Sequence, residues 1–258
     1  MFKLLRYNFK DSKVAYLIEL VVLLTIDLGI LSLAFLQRTK GVNIISISFY
    51  PEMMMTFAYV NFLIVLFSFQ RQVTKDVGRL YFSAPVKGIN YLVSKVFEFC
   101  IIQGFVIIVG ILYSSLFNNI FYSEYRFEVE NLIVYSIGSV LLLDLLICIL
   151  GIFTILSSML KDYKRSGIIS IMLIFLVALI GLIVNNFLGN IFPKLVINIR
   201  LLYYSKFDYL NIFIGAYVRN GILKVAPIFM AIKLGFFIML FKTASKAMDD
   251  KLDMTFNN

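Results

Sequence analysis

Six apolar runs, each near the length of a bilayer-crossing helix, set the terms on which this chain can fold. They are Val14 to Leu36, Met53 to Phe69, Val96 to Phe117, Leu132 to Met159, Gly167 to Phe187 and Pro227 to Phe241. A helix of roughly 20 mostly apolar residues crosses a hydrocarbon layer about 30 Å thick, and irregular backbone in that layer leaves amides unpaired. Composition agrees, since 61% of the residues are hydrophobic against about 45–50% in soluble domains. The expectation is an all-α polytopic membrane protein: one transmembrane domain over residues 1–258, with six transmembrane helices.

Lysine and arginine set the orientation, because positively charged short loops stay in the cytoplasm. With an even number of spans both termini share a side. Fifteen of the 24 basic residues then lie on that side, eight lie opposite, and Lys233 falls within a span. Both ends are therefore expected to be cytoplasmic. The net charge of +9 reads as orientation and attraction to anionic membrane lipid, and nothing in it points to nucleic acid.

At the start, Phe2, Leu5 and Phe9 oppose Lys3, Arg6, Lys10 and Lys13. That pattern suits a helix over residues 1–13 lying in the inner interface before the chain turns into the first span. A cleaved signal peptide fits poorly, because the apolar run is long, contains Glu19 and Asp27, and lacks a small-residue cleavage site. Residues 186–226 are too polar to span yet rich in aromatics such as Tyr203, Tyr204, Phe207 and Tyr217. They are expected to form one or two short helices at the outer interface, or the lip of an outer gate.

Polar residues inside the spans are costly and therefore informative. Glu19 and Glu98 lie near the inner ends, where lysines or water can satisfy them. Asp27 and Asp144 fall near mid-membrane, and Lys233 in the last span is the cation that can pair with either. A pair that packs the bundle and a contact with cargo or protons are both open readings.

Catalysis is disfavoured by what is missing. The chain has no histidine, which removes a Ser-His hydrolase and a histidine metal site. Cys100 and Cys148 lie within spans and read as small buried residues. No G-x-x-x-x-G-K-[ST] loop occurs, so an energised process needs its ATP on another subunit.

One polar interval stands apart, Gln70 to Lys95. Arg71, Lys75 and Arg79 recur on one helical face, with Val73, Val77, Leu80 and Ala84 opposite. Pro85 ends that amphipathic helix near Phe82, residues 86–89 turn, and Asn90 is placed to cap the helix leading to the third span. The order Asp76, Gly78, Arg79, Leu80, then Ser83, Ala84, Pro85, Val86, Lys87, then Asn90, Tyr91, Leu92, Lys95 resembles the coupling helix of type 2 ATP-binding-cassette (ABC) exporter permeases. Where such permeases carry a glycine-lysine pair this chain has Ser94-Lys95, and its acidic complement is reduced to Asp76. The resemblance implies docking on an ATPase through Val73, Asp76, Val77, Gly78, Arg79, Leu80, Phe82 and Pro85. It implies two copies of that ATPase, carrying ATP and Mg, and a second permease copy or a paralogous permease. It also implies a bacterial plasma membrane, a multi-pass subunit that is not itself an enzyme, and outward movement of an amphipathic substrate such as a cytolytic or antimicrobial peptide or a drug. A passive six-span substrate-binding subunit of a small-molecule importer is the alternative.

Overall fold

The computed structural model describes residues 2–40, 50–74, 87–120, 130–160, 163–191, 196–200, 209–211, 216–219 and 222–256. These form six helices: α1 (Phe2–Lys40), α2 (Tyr50–Thr74), α3 (Gly88–Ile120), α4 (Glu130–Leu160), α5 (Tyr163–Ile191) and α6 (Pro227–Phe256). Four short strands lie between α5 and α6: β1 (Ile197–Arg200), β2 (Tyr209–Asn211), β3 (Ala216–Arg219) and β4 (Ile222–Val225). Five of the helices, all but α5, are long and apolar enough to cross a membrane. In α5 the apolar stretch among the described residues is the shorter Arg165–Gly181. These are the dimensions of a multi-pass membrane protein.

The two prolines among the described residues mark helix starts. Pro51 is the second residue of α2, and Pro227 is the first of α6, where a missing amide hydrogen costs nothing. The Ala226 carbonyl accepts the amides of Phe229 and Met230, both at 3.1 Å, and so closes the first turn of α6.

Two expectations are corrected. The amino-terminal segment is not a separate in-plane helix, because α1 runs unbroken for 39 residues, about 58 Å at 1.5 Å per residue. Residues 2–28 contain neither glycine nor proline, so nothing local forces a bend after Lys13. The segment before the last span carries strands where short helices were expected. It holds a four-stranded antiparallel sheet in the order β1-β4-β3-β2, so the chain is almost entirely helical and not all-α. Ile197 pairs with Val225 across β1 and β4, and Ala216 with Val225 across β3 and β4. The β-branched residues in β1, β3 and β4 favour that pleated arrangement over a helix.

The described chain divides into two compact units, residues 2–68 with 97–142, and residues 69–96 with 143–258. In the first, Leu23, Met54, Ala58, Val65 and Phe99 are buried almost completely. Gln103 of α3 ties two other helices together there: its amide donates to the Ala58 carbonyl at 3.1 Å and its oxygen accepts from Ser139 Oγ at 3.4 Å. The Met55 side chain occupies the space a side chain at Gly138 would need, so α2 and α4 approach closely. In the second unit the Phe69 ring meets Tyr91 at 6.1 Å and Phe153 at 6.0 Å between centroids. Cys148, Ile174 and Phe237 join α4, α5 and α6.

The outside of these helices is as apolar as the inside. Phe175 and Ile238 are 70% exposed and Val14 69%. Such surface is stable where the surrounding solvent is hydrocarbon.

Candidate functional site

Residues 76–85, which carry most of the motif, lie outside the described residues, and so do Asp76, Val77, Gly78, Arg79, Leu80, Phe82 and Pro85 individually. What the structure describes is the base from which that segment leaves and to which it returns. α2 continues without a break through Gln70 and Arg71 to Thr74, with Val73 half-buried and Arg71 exposed. At the end of this helix Gln72 is fully buried, and its oxygen accepts the Tyr91 hydroxyl hydrogen at 2.8 Å. That bond crosses from α2 to α3 and closes the loop between them. Burial makes it costly to break, since the remaining partner loses this bond away from solvent.

The return into α3 differs from the expected cap. The Lys87 carbonyl accepts the amides of Asn90, at 3.0 Å, and Tyr91, at 3.4 Å. Asn90 is thus inside the first turn and is not the residue capping it. The free amide of Gly88 is met instead by Asp249 Oδ1 of α6, at 2.7 Å, so a carboxylate sits where the helix dipole favours negative charge. A side chain at Gly88 would meet the Ser245 carbonyl oxygen at 2.9 Å and Met248 Cβ at 3.1 Å. The glycine is what lets α3 and α6 come this close. Asp249 also accepts a weaker contact from Ser245 Oγ at 3.4 Å.

Sequence reasoning picked out Tyr91 only as part of the motif and missed Gln72 and Asp249. A polar residue one turn beyond the apolar run, and an Asp249-Asp250 pair in a tail that also carries Lys242, Lys246 and Lys251, were the available signals. Partners 161 positions apart cannot be matched from either.

Of the charges within the spans, Lys233 and Asp144 come together. Lys233 Nζ lies 2.7 Å from Asp144 Oδ2, both side chains being 6% exposed, and sits 5.9 Å from the centre of the Phe237 ring one turn further along α6. Asp27 is not part of this pair. It is buried in the other unit, within electrostatic reach of Tyr113. Glu98 is fully buried and accepts the Tyr16 hydroxyl at 2.9 Å. Glu19 is also buried, with Asn61 near enough to act on its carboxyl but short of hydrogen-bond geometry. Cys148 is buried as expected, whereas Cys100 is exposed on the helix surface, and both are free thiols.

Among the described residues no group of three or more Cys, Asp or Glu is placed to hold a metal ion. The geometry is that of two hydrogen bonds holding the start of α3, to Gln72 and to Asp249, and of a buried ion pair. No protein-family model matches the chain, and neither a curated protein nor a solved structure matches it.

Proposed function

We propose that this chain is the membrane-spanning permease subunit of an ABC exporter of the type 2 class. It acts with an ATPase that carries ATP and Mg, in two copies, and with a second permease, in a bacterial plasma membrane. The single observation that carries this reading is the double brace at the base of residues 75–86: Tyr91 to Gln72 on α2, and Gly88 to Asp249 on α6. A loop that merely connects α2 and α3 gains nothing from a further tie to α6. A loop that receives force does, because a push on it moves α2, α3 and α6 as one. In this reading closure of the ATPase dimer displaces the segment, and the braces pass that displacement to the helices. An apolar bundle with few fixed charges, and the aromatic residues of 186–226, suit an amphipathic cargo, a cytolytic peptide or a drug, better than a sugar or an ion.

The test is copurification of an ATP-hydrolysing subunit with the chain. Val77→Asp or Leu80→Asp puts a charge into a desolvated contact, a change that costs several kcal/mol, and should release the ATPase. Arg71→Ala, at an exposed position, should leave the complex intact. Full retention of the ATPase and normal transport in both aspartate variants would show the segment to be only a connector.

A further inference from the structure

A cleft of about 550 Å³ opens between α1 and α3 in the unit built from residues 2–68 and 97–142. Its two ends differ in chemistry. At one end α1 presents Arg6, Lys10 and Lys13, spaced to share a helical face and all exposed. Further along the same face come Leu17, Leu20 and Leu23, and α3 supplies Ile102, Phe105 and Val106 opposite them. The distance from Lys13 to Leu23 is ten residues of helix, about 15 Å, which is half of a hydrocarbon core about 30 Å thick. The cleft is therefore cationic at headgroup level and apolar through one leaflet.

We infer that this cleft binds an anionic glycerophospholipid, its phosphate held by Arg6, Lys10 and Lys13 and an acyl chain laid against Leu20, Leu23, Phe105 and Val106. Charge complementarity selects the occupant. A zwitterionic lipid would bring a fourth cation to a site that already holds three. A cationic amphiphile drawn to Glu19, which lines the cleft about 9 Å beyond Lys13, would have to pass all three basic side chains. The acidic residue on this stretch of α1, Asp11, does not line the cleft, and its carboxylate accepts from Ser68 Oγ of α2 at 3.5 Å. The inference does not depend on the transporter reading, since it rests on α1 and α3 alone.

Native mass spectrometry of the full chain, released from detergent with dioleoyl phosphatidylglycerol or dioleoyl phosphatidylcholine, tests it. One phosphatidylglycerol should be retained per chain, with phosphatidylcholine at least tenfold weaker. The triple variant Arg6→Gln, Lys10→Gln, Lys13→Gln should lose at least tenfold for phosphatidylglycerol, as expected for three basic residues at a membrane surface. Leu20→Trp, which fills the apolar part, should weaken both lipids. Lys242→Gln with Lys246→Gln, exposed on α6, should change nothing. Equal binding of the two lipids, an unaffected triple variant, or an equal loss in the α6 variant would overturn the site in favour of diffuse surface charge. Displacement by millimolar inorganic phosphate would show an anion site and not a lipid site, and displacement by a cationic detergent would show that Glu19 selects the ligand.

Discussion

Removing either Asp144 or Lys233 leaves the other charge buried without its counterion, and that asymmetry gives the pair its diagnostic use. Breaking a buried ion pair from one side typically costs about 3–5 kcal/mol, whereas replacing both members with apolar groups is often neutral. Asp144→Asn and Lys233→Met should each lower stability by that order in detergent unfolding, and Asp144→Leu combined with Lys233→Met should recover most of it. A recovered double variant that still fails to transport would assign the pair to cargo or protons; one that transports would make it a packing device. Tyr91→Phe is a smaller test of the same kind. It leaves the buried Gln72 oxygen without the donor 2.8 Å away, and should cost about 1–3 kcal/mol. The candidates for the ion pair were legible in the sequence, because charges are rare within the spans and Lys233 is the basic one. The choice of Asp144 over Asp27 was not. Both are aspartates at similar depth, and only the packing that sets α4 against α6 decides between them.

At the level of elements, the start of α3 shows what a helix end takes from elsewhere in the chain. The Gly88 amide has no partner within α3, and Asp249 supplies one from α6. Asp249→Ala should cost about 1 kcal/mol, the usual worth of a capping side chain, while Asp249→Asn keeps an acceptor and should cost less. Equal stability of the alanine variant and the parent would show the contact to be incidental. Gly88→Leu should be worse than Asp249→Ala, because a side chain there meets the backbone of α6 and not a flexible group. Helices were legible wherever about twenty apolar residues ran between breakers, and in α1 the amphipathic basic stretch suggested an in-plane segment although no residue there would break the helix. The sheet carried a signal of its own. Arg219 pairs with Ile222, and the two residues between them are Asn220 and Gly221, the dipeptide favoured in two-residue hairpins. Aromatic content drew the reading toward interfacial helices. The β-branched Ile222 and Val225 and the Asn-Gly before them pointed the other way.

For the whole molecule, the orientation argued from basic residues can be set against the chemistry of accessible thiols. With six crossings, fifteen basic residues on one side against eight on the other would put the amino terminus, the segment after α2 and the end of α6 in the cytoplasm. In a background with Cys100→Ala and Cys148→Ala, cysteines introduced at Gly41 and Asn119 should then react with an impermeant thiol reagent added to intact cells. A cysteine at Lys246, exposed near the end of α6, should react only after the membrane is opened. Ser245, its neighbour, is unsuitable because it is 8% exposed and would stay unlabelled on either side. α5 makes the experiment more than a formality, since its apolar stretch among the described residues is shorter than those of the other five helices. If α5 does not cross, five spans remain and the two ends of the chain fall on opposite sides. A thiol at Lys246 that labels from outside while one at Lys3 stays protected would establish that arrangement. Residues 75–86 would keep to the side of the amino terminus, after two crossings, while Asp249 would lie across the membrane from Gly88, in conflict with the 2.7 Å bond between them. Protection at both positions keeps six crossings, and with them the start of α3 and the end of α6 on one side of the membrane.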